Sequence, residues 1–412
     1  MNLGFWTRTK RIRIHGLLLA VCLWTIYAVD MSAPGALDRN GLVKGTDFLH
    51  FYTLGRLAWQ GRGDLLYNMR AQAELARQLV PQAPDSLYVP LYGPQVSLLF
   101  APFARLPYGW ALTAWLSTNL LIFGFCCYAL WRTCPKLQEH RWMVLILAIA
   151  FPGFFHLLVW GQTSGLALLC FTLAYLALHH DRKLLAGLAI GSLVFKPQLG
   201  VAAAVVFVFA REWKLIVGAL ASASVQLGAA WMHYGTEIMR TYWRALMHVG
   251  EVLPLLEPRL YQTHSLRSFW SLLLPWPQLA FALYVVSALG ILGLAARCWQ
   301  SGASLQVRYA ALLLATVLVS PHLTVYDLVI LAPAFLLLGE WTLARDHSAP
   351  SVPLLLYACY PLFLLGPLAR ITHLQFSVVA MTALLWISWR ISERSVTQTS
   401  ASPQSCPESG SR

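Results

Sequence analysis

The 412 residues are 58% hydrophobic and only 11% charged, where an ordinary soluble domain is about 25% charged. Lys and Arg outnumber Asp and Glu by 30 to 17, a formal charge of +13, but the basic residues sit in short loops between apolar runs, as membrane topology demands of the cytoplasmic side. This distribution excludes a soluble globular domain and a nucleic-acid partner, and leaves an all-α polytopic membrane protein.

Apolar runs of about 20 residues, enough for a helix to cross roughly 30 Å of hydrocarbon, recur along the whole chain. The first, TRTKRIRIHGLLLAVCLWTIYAV, begins like a signal peptide, yet no small-residue cleavage site closes it, so a retained helix over 15–29 is expected. Arg8, Lys10, Arg11 and Arg13 place its start in the cytoplasm and send 30–93, the longest loop, to the outer face. Further spans are expected at 111–131, 142–159, 164–180, 185–196, 198–210, 214–233, 277–297, 306–320, 323–341, 352–368 and 374–390, about 12 transmembrane helices in all. Alternate loops then carry Arg132, Lys136 and Arg141; Arg182 and Lys183; Arg211 and Lys214; Arg297 and Arg308; Arg345; and Arg390 with Arg394, which closes the parity test with both termini inside. Residues 94–106, QVSLLFAPFARLP, read either as a short extra span or as a re-entrant segment. Residues 1–391 thus form one polytopic domain, and 392–412, rich in Ser, Thr, Gln and Pro, read as a disordered cytoplasmic tail. The eight cysteines fall in apolar runs or cytoplasmic loops, where disulfides are rare.

Two of these spans are too short to cross alone and meet at Lys196-Pro197. Proline ends a helix at the preceding residue, and broken membrane helices persist where they line a cavity. Lys196 therefore sits in a dip on the outer side, unless it simply snorkels to the interface. Ionisable groups near membrane segments are rare and mark function. On the outer side they are Asp47, Asp64, His264, Arg267, His322 and Asp327, together with Lys196 and the amides Gln162, Gln198 and Gln262.

In GTDFLHFYTLGRLAWQG (45–61) one acid lies among aromatic and aliphatic residues. The segment reads as a helix on the outer membrane surface, with Tyr52 and Trp59 at the interface. Asp47 is then either its N-cap, a role Thr46 fills equally well, or a carboxylate facing the membrane boundary. His322 follows Ser-Pro at a helix start, where a histidine is either a structural hydrogen bonder or a reacting group. Asp327 reads as a helix-facing group or as the partner of a cation such as Arg267.

Taken in order, GTDFLHFY with GRGDLLYN, YVPLYGPQVSLLFAPFARLP, WGQTSGL, LAGLAIGSLVFKPQ, THSLRSFW and SPHLTVYDL resemble the polyprenyl-phosphate-sugar-dependent enzymes of glycosyltransferase family 87, mannosyl- and arabinosyltransferases of the GT-C superfamily. The resemblance covers residues 40–335. It implies a GT-C-like helical bundle with juxtamembrane helices in the first outer loop. It also implies transfer of a hexose such as mannose, or of arabinose, from a polyprenyl-phosphate donor to a glycan or glycolipid acceptor at the outer face of the plasma membrane, with inversion. Asp47 would be the catalytic base, and His322 would lie across the cavity from it. Lys196 and Arg267 would bind phosphate or acceptor, Gln162 would contact donor or sugar, and Gln198, His264, Tyr52, Tyr92 and Asp327 complete the substrate-binding candidates. Two departures stand out: Ser164 where relatives often carry Asn, and Gly93-Pro94 where they often carry Pro-Pro.

This chemistry needs a base for the acceptor proton and stabilisation of a departing phosphate; a partly desolvated carboxylate and fixed cations supply these. The chain offers no metal-ligand spacing, no Gly-rich phosphate loop and no DxD pair in an outer loop, so no metal or other cofactor is expected and nucleotide sugars are disfavoured. The competing reading is a lipid-linked sugar flippase or transporter. Such a protein should repeat its broken helices in both halves and hold polar groups at mid-membrane, whereas here the broken pair occurs once and the polar groups gather on one side.

Overall fold

The computed structural model describes residues 9–83, 88–251, 259–345 and 351–400; Arg8, Cys406 and most of the expected tail lie outside them. Among the described residues the chain is helical, with two isolated bridges, Leu37–Val43 and Thr263–Thr324, and no sheet. The long loop after α1 (Thr9–Met31) contains α2 (Thr46–Trp59) and α3 (Met69–Leu79), and α4 (Gln95–Phe100) follows it. Then come α5 (Tyr108–Arg132), α6 (Pro135–Gln138), α7 (Arg141–Ile149), α8 (Pro152–Trp160), α9 (Ser164–His179), α10 (Lys183–Gly191), α11 (Val201–Phe209) and α12 (Trp213–Met247). The last third holds α13 (Leu266–Leu273), α14 (Pro277–Gln300), α15 (Leu305–Val319), α16 (Ala332–Ala344), α17 (Ser351–Leu364), α18 (Ala369–Thr372) and α19 (Phe376–Ser400).

Among the described residues five stretches are long and apolar enough to cross a membrane unaided: Lys10–Met31, Tyr108–Arg132, Trp213–Met247, Pro277–Gln300 and Val325–Ala344. Two bent pairs, α7 with α8 at 40° and α17 with the segment through α18 at 70°, raise the number to seven. The chain is an all-α membrane protein. By length alone the count is five to seven rather than the twelve expected, because Ser164–His179, Lys183–Phe195, Pro197–Phe209 and Leu305–Val319 are each short against the roughly 20 residues a crossing needs. Helix α15 shows how a short helix is accommodated: Val307 and every residue from Tyr309 to Val319 are buried by neighbouring helices, so protein rather than lipid surrounds it. The outer helices do the opposite, exposing Trp213, Val217, Leu220 and Val225 on α12 and Phe281, Val286 and Leu289 on α14, an apolar surface suited to lipid and unsuited to water.

The broken helix at Lys196 is anchored through small residues. A Cβ on Gly187 or Gly191 of α10 would fall 2.2 or 2.1 Å from the carbonyl oxygens of Leu215 or Ala219 on α12. Two glycines four apart thus let the backbones touch, the packing mode favoured where no hydrophobic force drives helices together. Helix α12 itself breaks at Gly235 (φ 78°, ψ 178°), next to the expected end of its span.

Three expectations change. Helix α2 does not lie on a surface, since Phe48 to Gly55 and Leu57 are all buried beneath α3, α4 and α5. Of the two readings for residues 94–106 the span is excluded, for α4 has six residues and the turn Phe103–Arg105 three, about 9 Å of helix, which leaves the re-entrant segment. The final helix runs on to Ser400, nine residues into the expected tail; 401–412 lie outside the described residues.

Candidate active site

Asp47 reaches its place through a glycine contact. Gly45 and Gly161 both have φ of 64°, a left-handed conformation that glycine adopts without strain, and a Cβ on Gly161 would lie 3.4 Å from the Gly45 Cα and 2.8 Å from the Phe48 Cβ. The start of α2 therefore abuts the end of α8. Helix α5 braces the same point: the Trp115 indole N–H donates to the Gly161 carbonyl at 2.8 Å and the Asn119 amide to the Gln162 carbonyl at 3.3 Å. Neither Asp47 nor Thr46 is the N-cap, which is Gly45 without a side-chain bond. The Thr46 hydroxyl instead donates back to the Val43 carbonyl at 2.9 Å.

This leaves the Asp47 carboxylate to accept a hydrogen bond from Gln162 Nε2 at 3.0 Å. The orientation of that amide is fixed, because Gln162 Oε1 already accepts from the Thr163 N–H and hydroxyl at 2.6 and 2.9 Å. Half-buried, Asp47 is pushed up to a pKa of about 6: burial raises it, while the Gln162 hydrogen bond, the Lys196 charge and the Tyr326 hydroxyl pull it partly back. A carboxylate titrating near neutrality is poised as a base.

Beside it lies a second polar unit. Lys196 Nζ contacts Asp327 Oδ1 at 2.8 Å and Ser164 Oγ at 3.0 Å, and the Ser164 hydroxyl donates to the same Asp327 oxygen at 2.5 Å. Lysine and aspartate are 3% and 2% exposed, so each charge is tolerable only because the other is present. The second Asp327 oxygen accepts from the Thr324 N–H and hydroxyl, both at 3.3 Å, closing a capping box on the 3-10 turn Val325–Leu331. Tyr326 joins the units: its ring lies 5.2 Å from the Lys196 ammonium and its hydroxyl acts on Asp47. The Tyr92 hydroxyl reaches Gln162 and feels Lys196, Asp327 and Asp47.

The THSLR and SPHLT segments run antiparallel, bridged at Thr263–Thr324 and by a 3.1 Å bond from the His264 N–H to the Leu323 carbonyl. Arg267 thereby donates to the Pro321 carbonyl at 3.0 Å, next to His322, whose charge acts on Asp327. Gln198, half-buried, follows Lys196 on the turn Pro197–Leu199. Asp47, Gln162, Lys196, Asp327, Tyr92, His322 and Arg267 are thus gathered at one end of the bundle.

Two candidates are not. Tyr52 is buried against Phe48 and Tyr108 and donates its hydroxyl to the Leu106 carbonyl at 2.7 Å. His264 turns its ring away, toward Ser377 Oγ at 2.7 Å and Phe363, and burial lowers its pKa to about 3, so it stays neutral. The sequence reading passed over Ser164 as a ligand of Lys196, Tyr326 as a neighbour of Asp47, and Asn119. It also missed His50, one turn after Asp47, whose ring packs on Tyr88 and Tyr92 with both nitrogens buried and lacking a hydrogen-bond partner among the described residues. Asn119 had a visible signal, a lone amide in the apolar α5.

The sequence matches the profile of glycosyltransferase family 87 over residues 91–321, more than half of the chain. It belongs to that family. The matched region of this membrane glycosyltransferase includes Tyr92, Gln162, Ser164, Lys196 and Arg267, and stops just short of His322; Asp47 and Asp327 enter the site through geometry. No curated protein matches, and no solved structure matches.

Proposed function

We propose that this family 87 enzyme has a GT-C architecture and transfers a hexose or pentose from a polyprenyl-phosphate donor to a hydroxyl of a glycan or glycolipid acceptor at the outer face of the plasma membrane. Asp47 takes the proton of the acceptor hydroxyl, the new bond forms to the anomeric carbon, and the carbon–oxygen bond to phosphate breaks, releasing polyprenyl phosphate in a single inverting displacement. The observation that carries this reading is the Asp47 carboxylate itself, half-buried, held at 3.0 Å by Gln162 and raised to a pKa of about 6 beside a buried lysine.

The cations divide their work. Lys196 is matched by Asp327 at 2.8 Å, so its role is to fix Ser164 and Asp327 and to limit the rise in the Asp47 pKa. Arg267, held at the Pro321 carbonyl beside His322, is assigned to the departing phosphate, where fixed positive charge stabilises the transition state, and His322 is assigned a hydrogen bond to the same phosphate. Gln162 orients the base. No observation favours the transporter reading over this one.

The test is a donor panel: purified enzyme is incubated with polyprenyl-phosphate mannose, arabinose, glucose and galactose and a glycan acceptor, and free polyprenyl phosphate is measured. Acceptor-dependent release with one carrier is expected. Movement of labelled lipid across liposomes without a new glycosidic bond would replace transfer by transport.

A further inference from the structure

Away from the residues around Asp47, the bundle holds a partly open cavity of about 380 Å³ whose walls are mostly apolar, including Leu19, Cys127, Leu147, Leu336 and Leu356. The walls come from α1, α5, α7, α16 and α17. Ile12 to Leu19 open α1, whose other end leads to the Asp47 loop; Phe123 and Cys127 lie toward the end of α5; Met143 to Ala148 belong to α7, before the chain reaches Gln162; and Ala332 to Leu343 follow Asp327. A dry cavity of this size forfeits dispersion contacts along its whole lining, and an apolar cavity does not hold water. Within a bilayer the filler at hand is a hydrocarbon chain.

The ends of the helices that line it carry basic residues. Lys10 and Arg13 stand in the first turns of α1, Arg132 in the last turn of α5, Arg141 at the start of α7 and Arg345 at the end of α16. The Arg141 and Arg345 guanidinium groups lie 5.6 and 5.2 Å from the Trp142 and Trp341 rings, tryptophan being the residue that marks the headgroup level. Two described acids on the surrounding elements are already engaged: Glu139 with Lys136 at 3.1 Å, and Glu340 with the Lys136 and Leu137 backbone N–H groups at 3.1 and 2.9 Å. Arg13 Nε is buried without a hydrogen-bond partner among the described residues, a donor that costs stability until an acceptor arrives. On the cavity wall His15 Nδ1 and the Tyr357 hydroxyl meet at 2.7 Å, and the Tyr360 hydroxyl donates to the Leu147 carbonyl at 3.1 Å, polar groups that an ester of the lipid can meet.

We propose that this cavity binds one acyl chain of an anionic phospholipid, whose phosphate sits among Lys10, Arg13, Arg141 and Arg345. Basic pockets between membrane helices bind anionic headgroups in this way. The occupant is a bilayer phospholipid and not the sugar donor, because a donor reacting at Asp47 places its phosphate at the opposite end of the helices, roughly a membrane thickness of 30 Å away.

The full-length protein in detergent, titrated with phosphatidylglycerol or with phosphatidylcholine of the same chains and read by native mass spectrometry, tests the proposal. One phosphatidylglycerol should bind about tenfold more tightly than phosphatidylcholine. Gly339→Phe should remove that adduct by filling the cavity, for a Cβ at Gly339 meets only Leu137 Cδ2, at 3.8 Å, and it should leave the unfolding temperature in lipid-free detergent undiminished. Should that variant fail to fold, Leu336→Trp fills the same space. The combined Lys10→Gln, Arg13→Gln and Arg345→Gln variant should bind the two lipids equally. Equal binding by the wild type, full binding by a filled cavity, or displacement of phosphatidylglycerol by added polyprenyl phosphate would each overturn it.

Discussion

The two ends of this bundle solve the low-dielectric interior in opposite ways. Directly around Asp47 the polar side chains are matched one to another, lysine with aspartate, serine with both, and the glutamine amide with its own threonine on one side and the base on the other, while His50, one turn on, keeps two ring nitrogens without a partner among the described residues. At the Arg13 end an apolar space stays unfilled and a guanidinium nitrogen unpartnered. A polar network is precise only when nearly complete, since each missing partner costs a desolvated group, whereas an apolar cavity accepts any chain that fits. The matched network thus lies where the proposed chemistry is placed, and the apolar cavity where the proposed lipid is placed.

The sharpest way to break the contrast is to break the pair that anchors the precise end. Lys196→Met strands the Asp327 charge and should lower stability by about 3–5 kcal/mol, with turnover lost as well. In thermal unfolding the double variant Lys196→Met with Asp327→Leu should recover most of that stability, because an apolar pair often replaces a buried ion pair without penalty. Turnover should not return, since the charge that restrains the Asp47 pKa is gone. Bulk at the α10–α12 contact comes next: Gly187→Leu drives a side chain into the Leu215 carbonyl and should destabilise by about 1–3 kcal/mol as overpacking does, displacing Lys196 and cutting turnover.

A subtler change probes the base alone. Rate against pH should rise through about 6 as Asp47 loses its proton. Gln162→Ala removes a hydrogen bond that lowers this pKa, so the rising limb should move to higher pH while the plateau, where Asp47 is ionised, falls less. An unmoved limb would mean that another group titrates there. The smallest effect belongs to Tyr52→Phe, which deletes one bond to the Leu106 carbonyl: stability should drop by about 1 kcal/mol and turnover hold.

Much of this division could be read from the chain, and for physical reasons. Ionisable residues are so rare in apolar segments that Asp47, Lys196, His322 and Asp327 drew attention by being there at all, and Lys196-Pro197 announced the break that shapes the site. Partner choice was harder. The sequence reading left Asp327 open to Arg267 and gave Lys196 to phosphate, yet the lysine sits in contact with the aspartate 131 positions away, a pairing that only the packing of α8 and α9 on the 325–331 turn decides. Helix length alone gives five to seven spans among the described residues, because apolar runs such as 306–320 are hydrophobic for burial in protein as readily as for lipid. The α2 segment misled, since Tyr52 reads alike in a lipid interface and in an aromatic core. The GLAIG contact of Gly187 and Gly191 was visible as two small residues four apart but carries meaning only once α12 lies against it.

The most direct measurement compares polyprenyl phosphate release by wild type and Asp47→Asn across pH 5 to 8, with the transferable donor and acceptor found by the panel. General-base catalysis is worth about 10²–10⁴-fold, so the variant should lose at least about 100-fold and the limb near 6, with unfolding unchanged. Turnover and pH profile like those of the wild type would contradict the account.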